Sequence, residues 1–417
     1  MKNQSYHTAI DVGTSKVTTL IARTAENGEI QVIGMGNLPS RGVQKGLISN
    51  LAEVKQVIQG SLIEAQKQSG VKTNSAYVGI TGSRVSYVNS RAAMDNRYYN
   101  NPVCEKDVEQ VVTACYKENF LNGDRILHVI PRDYSVDGNW GIHNPVGMRA
   151  SCVEVESHVV MTDPASADNL LEAMRLSGVK IKNLVLQPLA SAEAVLSDDE
   201  KNMGVVMVDI GGGTSDVSIF LNGSIWHINV IPVGGFQITR DISIAFTTFA
   251  LAAEEAKLKY GNVFPDYIHP DEDADIELPG FGNNSIVTVG RKDLCEVIKE
   301  RVRELISLVL KEIHEAGLDR VPSGGLVLTG GTSKIPGLQE LASEIWPGPV
   351  RLGVPLSSSW VPQELEDPAY SGSLGLLYWG AKHCGKNTNN SKINKILSSN
   401  SLRFRRWINS FTSRIYA

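Results

Sequence analysis

Asp11 and Asp209 each end an apolar run and precede a glycine-bearing turn, in IDVGTSKV and VDIGGGTSDV. An acid there suits a Mg²⁺ held through water. Glycine lets backbone N–H groups converge on one point, which suits a phosphate. A plain structural hairpin also uses consecutive glycines, so the Gly211-Gly212-Gly213 turn alone leaves that reading open. A second copy weighs against it. Both stretches keep the order Asp, apolar residue, Gly, Thr-Ser, one polar residue and Val, separated by close to half the chain. A repeat of that period predicts two similar α/β halves holding one ligand between facing hairpins.

The elements that must position these residues are legible as apolar periodicity. Val205–Phe220 reads as strand, tight turn and strand, and Tyr6–Ala22 reads the same way. A helix is expected over Leu51–Gln68 and a strand over Ser75–Thr81. Residues 83–161 break this rhythm. They predict strand Arg84–Asn89, helix Glu105–Glu118, then strands Arg125–Val136 and Met148–Met161. Such a unit, inserted into the first half, serves as an interaction module or as a mere elaboration of that half. Helix Asp163–Gly178 and strand Ile181–Leu186 lead into Gln187 and a proline-started helix reaching Val195. Small residues at Ser371, Gly372, Ser373, Gly375 and Gly380 predict a second helix packed against it, forming a hinge.

Further on, strand Ile225–Val233 precedes Gly234-Gly235 and a helix over Phe236–Ala250. In the helix Ala252–Gly261, Glu254 and Lys257 share a face at i, i+3. They either pair on a solvated surface or line a nucleotide pocket. Phe264–Asn284, with DEDADIE and several prolines and glycines, is expected to be a solvated loop. Lys292–Gly317 is a long amphipathic helix bearing Arg301 and Glu304. In LVLTGGTSKIPGL, a strand ends on Gly330-Gly331, whose missing side chains admit the flat or sugar part of a ligand.

Composition narrows the class. At 417 residues with 42% hydrophobic and 20% charged content, the chain predicts a soluble protein of several domains. A formal net charge of −5 gives no argument for nucleic acid. Five cysteines without a C-x-x-C pair argue against a disulfide framework or zinc ribbon and fit a reducing compartment. The start of the chain has no apolar core of a secretory signal, and no stretch reaches transmembrane length.

The last residues change character. Residues 385–401, rich in Asn, Ser and Lys, are expected to form a flexible linker. In LRFRRWINSFTSRIYA, Phe404, Trp407, Ile408, Phe411 and Ile415 fall on one narrow helical face. Arg403, Arg405, Arg406 and Arg414 flank it, and no acid is present. That pattern predicts a helix lying in an anionic membrane interface, where four arginines supply roughly 4 kcal/mol at ~1 kcal/mol each. The plainer alternative is a helix docked on the protein's own core.

DVGTSKV, DIGGGTSDVSIF and LTGGTSKIPGL together resemble the two phosphate motifs and the adenosine motif of the actin-like ATPase superfamily. Within it, LHVIPRDYSVDG, GIHNPVGM, PSRGVQKGLISNL and the amphipathic tail resemble the FtsA family of bacterial cell-division proteins. The resemblance implies actin-like (ribonuclease H-like) duplicated α/β domains with a nucleotide cleft, plus an inserted strand-helix-strand-strand subdomain. It divides the chain into subdomain IA (1–82, 162–194 and 357–384), IC (83–161), IIA (195–234 and 318–356) and IIB (235–317).

It further implies ATP with Mg²⁺ as ligands. Asp11 and Asp209 would hold the metal through water, while Gly13, Thr14, Ser15, Gly211, Gly212, Gly213 and Thr214 contact phosphate oxygens. Lys16 would neutralise charge, and Gly234 and Gly235 join the nucleotide site. Gly330, Gly331 and Lys334 border adenosine, with Glu254 and Lys257 at the ribose or base. Gln187 stands where heat-shock ATPases of the superfamily carry a carboxylate. A neutral amide orients water but accepts a proton poorly, so weak ATPase activity or none is expected. The family's partners would be the FtsZ C-terminal peptide on IIB, with Arg301 and Glu304 as candidates, and the FtsN cytoplasmic tail on IC. Self-association into filaments and residence on the cytoplasmic face of the inner membrane at the septum would follow. The competing expectations are a small-molecule kinase and a chaperone-type ATPase of the same superfamily.

Overall fold

The computed structural model describes residues 5–25, 29–82, 85–95, 102–117, 124–269, 273–282, 285–356 and 361–382. The linker and amphipathic tail expected at 385–417 lie outside the described residues. Two five-stranded sheets dominate, and they repeat one plan. The first runs Lys180–Leu186, Ser75–Ile80, Tyr6–Val12, Lys16–Thr24 and Ile30–Pro39 from edge to edge. The second runs Val350–Leu352, Leu326–Thr329, Val205–Ile210, Ser215–Leu221 and Ser224–Ile231. In both, a parallel half joins an antiparallel meander at the central strand. That central strand carries the aspartate and opens the glycine turn, so the repeat seen in sequence is a repeat of architecture.

Burial explains why these stretches fold as they do. Ala9, Ile10, Val17 and Leu20 are buried in the first core, and Val206, Val208, Ile210, Val217 and Ile219 in the second. Central strands covered on both faces need such near-continuous apolar runs. Helix Leu51–Ser69 starts where the Asn50 side chain accepts from the Ala52 and Glu53 amides, and ends at Gly70 with φ +69°. It lies so close on its sheet that a Cβ at Gly36 would stand 1.9 Å from the Ser61 carbonyl oxygen. Helix Arg291–Glu315 covers the second half through Leu294, Ile298, Val302, Ile306 and Val309, all buried.

Helices Gln187–Val195 and Ser371–Lys382 meet between the halves, as the small residues require. A Cβ at Gly375 would fall 1.8 Å from the Ala190 carbonyl oxygen, so the backbones touch there.

Four expectations need correction. The inserted unit holds a four-stranded sheet in the order Val85–Asp95, Cys152–Thr162, Arg125–Val136 and Asn139–Ile142. Its fourth strand was hidden because Asp137 and Gly138, both at positive φ, form a two-residue turn inside what reads as one polar loop. The strand expected from Met148 begins at Cys152, after a loop in which the Val103 amide bonds the Met148 carbonyl. Residues 275–279 of the supposed loop form a strand paired with Ile286–Gly290, burying Ile276 and Leu278 by alternation. The helix expected over Phe236–Ala250 stops at Ala245, and Thr247, where φ is +50°, parts it from the next helix, expected over Ala252–Gly261 and found at Ala250–Tyr260.

Candidate functional site

A cleft of about 470 Å³ opens between the halves. It is lined by Asp11, Gly13, Thr14, Ser15 and Lys16 from the first hairpin and by Asp209, Gly211, Gly212, Gly213 and Thr214 from the second. Gln187, Gly235, Glu254, Lys257, Gly330, Gly331 and Lys334 complete the predicted part of the wall. Gly234 does not line it. It packs behind the second turn, where a Cβ would lie 2.7 Å from the Gly211 carbonyl oxygen. Arg301 and Glu304 lie outside the cleft. Arg301 Nε and Nη2 clasp Asp241 at 2.5 and 3.0 Å, and Nη1 pairs with Glu304 on the same helix.

The glycines are dictated by contact. A Cβ at Gly213 would stand 2.8 Å from Thr14 Oγ1 and 3.0 Å from the Lys45 Cα, so the two turns nearly touch there. Gly330, at φ +86°, leaves room for Asp209, whose Oδ1 would lie 2.3 Å from any Cβ.

Each cleft aspartate is held by a serine from a hinge helix. Ser373 Oγ donates to Asp11 Oδ2 at 2.9 Å, and Ser191 Oγ donates to Asp209 Oδ2 at 2.5 Å. Burial pushes the Asp11 carboxyl upward against that hydrogen bond. Burial also pushes Asp209 up to about 6, and the charge of Asp11 adds to it. Lys16 is brought down to about 8 by burial, partly offset by Asp11 and Asp367. Its ammonium rests 3.4 Å from the centroid of the Tyr370 ring.

Gln187 is buried and wedged. A Cβ at Gly79 would meet its Oε1 at 2.2 Å and one at Gly372 its Nε2 at 1.8 Å. Its amide hydrogen-bonds the Asp11 carboxylate. Lys257 Nζ donates to the Gly235 carbonyl at 3.1 Å, to Thr239 Oγ1 at 2.9 Å and to Glu254 Oε2 at 2.6 Å. All three of its donors stay within the protein, so it fixes the turn that begins the helix at Gly235.

Sequence reasoning missed Asp216, which lines the cleft while almost fully buried. It faces Asp209 directly in the hairpin register. Thr81 Oγ1, from the first half, lies 2.9 and 2.7 Å from its two carboxylate oxygens. Burial, then the charge of Asp209, pushes Asp216 up to about 7. The signal was in the motif, since DIGGGTSD carries its second acid on the strand facing the first. Its partner Thr81 is 135 positions away and left none.

The site therefore gathers the half-buried Asp11 and Asp209 and the buried Asp216 beside glycine turns and the Lys16 ammonium. Such a set fits a polyanion carried with a divalent cation. Among the described residues, no three His, Cys, Asp or Glu side chains gather as direct metal ligands.

Duplicated sheets, paired acid-led hairpins and a hinged cleft define an actin-like fold. A PilM from a PilM-PilN type IV pilus biogenesis complex superposes with TM-score 0.63 at 16% identity, covering 90% of this chain and 98% of that one. MreB5 of Spiroplasma citri bound to ADP gives TM-score 0.50 at 12% identity, covering 93% and 98%. Family models for "Cell division protein FtsA" and the "SHS2 domain inserted in FTSA" match residues 206–375 and 82–161. The cell division protein FtsA of Pseudomonas aeruginosa is 38% identical, over 89% of this chain and 88% of its own length. That of Neisseria meningitidis is 32% identical over 98% and 100%, and that of Escherichia coli K12 is 33% identical over 89% of each. The chain belongs to the FtsA family of cell division proteins.

Proposed function

We propose that this protein is an ATP-binding, actin-like scaffold that polymerises on the cytoplasmic face of the inner membrane. There it tethers FtsZ filaments at the septum and recruits later division proteins. The observation that carries the nucleotide part is the pairing of Ser373 with Asp11 and Ser191 with Asp209 at one cleft. Two acids held alike from the two halves face the point where both glycine turns converge. Magnesium bound with the nucleotide would supply positive charge to the phosphates. Asp11 and Asp209 would hold it through water, the N–H and hydroxyl groups of residues 13–15 and 211–214 would bind phosphate oxygens, and Lys16 would neutralise charge. Gln187 spends its amide on Asp11 and accepts protons poorly, so the nucleotide acts in assembly more than in turnover.

Family membership supports the FtsZ and membrane roles, and the arginine-flanked apolar face of 402–417 supports the tether. Arg301 and Glu304 keep their proposed role in the FtsZ peptide site on IIB, and IC is proposed to receive the FtsN tail. The deciding experiment is liposome co-sedimentation of the full chain and a 402–417 deletion, with and without FtsZ. The full chain should pellet and carry FtsZ with it, while the deletion stays in solution. Equal pelleting of both, or no recruitment of FtsZ, overturns the reading.

A further inference from the structure

The inserted subdomain is covalently part of the first half, yet it also grips the second. Strand Arg125–Val136 makes both contacts that matter. Near its start, His128 Nε2 accepts from the Leu186 amide at 3.0 Å, where the first hinge helix begins. The same imidazole stacks edge-on against Trp379 of the other hinge helix, with centroids 5.7 Å apart. Four residues on, Arg132 lays its guanidinium 3.6 Å from the centroid of Trp226, on the edge strand of the second sheet. Trp226 in turn donates from Nε1 to the Ala316 carbonyl at 2.9 Å.

Arg132 reaches Trp226 because of a backbone irregularity. Glu156 pairs with Asp133 and Ser157 with Pro131, so Arg132 is an extra residue in the strand. A bulge of this kind re-aims one side chain without disturbing the rest of the ladder. Beside it, Tyr87 of the inserted sheet meets His227 edge-on at 4.8 Å and stacks on His158 at 5.0 Å. His227 Nε2 lies 3.0 Å from Glu312 Oε2, anchoring the receiving side.

The junction is held by opposing terms. The Arg132 side chain is 5% exposed and pairs with Glu156 at 2.7 Å through Nη1. Its Nε and Nη2, and His158 Nε2, have no hydrogen-bond partner among the described residues. Buried unpaired polar atoms favour separation, since water would satisfy them, whereas the ring contacts and the cation–π contact favour docking. Opposed terms of this kind suit a contact with two discrete arrangements.

We infer that strand Arg125–Val136 couples the cleft to the inserted subdomain, with His128 following the hinge helices and Arg132–Trp226 acting as a releasable latch to the second half. Closure of the halves on a nucleoside triphosphate moves Trp226 relative to Arg132, and so changes how the inserted subdomain is held. By linkage, anything that pulls this subdomain away changes nucleotide affinity by the same factor. The inference rests on the proposed nucleotide site for its trigger, but the latch itself does not.

Hydrogen–deuterium exchange on the full chain tests both parts, using wild type, Arg132→Ala, Trp226→Leu and the ring-retaining Trp226→Phe. Without nucleotide, Arg132→Ala and Trp226→Leu should lose protection in residues 85–95 and 224–231, and Trp226→Phe should keep it. Unchanged protection in all variants overturns the latch. With Mg²⁺ and a non-hydrolysable ATP analogue, wild type should change protection at those segments as well as at 209–216. Arg132→Ala should change only at 209–216, with its analogue affinity shifted by about fivefold or more. A wild-type response confined to 209–216 overturns the coupling. No binding of the analogue by wild type instead removes the proposed nucleotide site and with it the trigger, leaving the first comparison to decide the latch.

Discussion

Ser373 donates a 2.9 Å hydrogen bond to Asp11, joining residues 362 positions apart. The pair is matched in the other half by Ser191 and Asp209 at 2.5 Å. In each case a helix lying between the halves holds the acid that precedes one glycine turn, which ties the position of that helix to the cleft.

Removing either partner should therefore weaken the ligand more than the fold. Asp209→Ala is expected to abolish Mg·ATP binding. Ser191→Ala removes the hydrogen bond that holds the Asp209 carboxylate down, raising its protonation midpoint further above about 6. At pH 6 to 7 affinity should fall by about tenfold, taking roughly 1.5 kcal/mol for a hydrogen bond to a charged group. Titration calorimetry across that range checks both variants, and unchanged affinity in Asp209→Ala would remove that residue from its role.

The Thr81–Asp216 contact makes a pH prediction for the nucleotide-free protein. Asp216 is pushed up to about 7, so the folded state holds its proton more tightly than the unfolded chain does. Its effect on stability is then neutral below about 4, becomes unfavourable as pH rises to about 7, and is constant above. Asp216→Asn should gain stability relative to wild type over that window. Thermal melting at pH 4.5 and pH 8 reads the difference, and an equal shift at both values would contradict the assignment.

Gly375 tests the hinge. A Cβ there would overlap the Ala190 carbonyl oxygen at 1.8 Å, so Gly375→Ala must part the two helices despite alanine's better helix propensity. A loss of about 1–3 kcal/mol is expected from such overpacking. Denaturant unfolding gives the value directly, and a stabilised variant would show that the helices are not in backbone contact.

Lys257 should behave as a support of the turn rather than a ligand. Lys257→Met removes the charged donor from the Gly235 carbonyl and from Glu254, leaving each with Thr239 Oγ1, at a cost of about 1–3 kcal/mol for hydrogen bonds to a charged group. Calorimetric melting combined with nucleotide titration separates loss of support from loss of a direct contact. A variant of wild-type stability that binds nucleotide poorly would favour the direct contact.

By itself the sequence determined what short-range chemistry determines. Apolar strands ending on Asp11 and Asp209, the glycine turns, the repeat, the small-residue hinge helices and the position of the insertion are all local patterns. Sterics around glycine and alternation along strands impose them on neighbouring residues. Only the tertiary structure decided which side chains serve the acids, because Ser191, Ser373 and Thr81 are ordinary residues until the sheets and hinge helices bring them to carboxylates far away in sequence. The same holds for Lys257, whose donors are consumed inside the protein, and for the strand at Asp275–Pro279, whose acidic composition hid an alternation that packing selects. A hydrogen bond between distant residues needs no periodicity at either end, and so writes nothing into the chain that a reader of spacing can find.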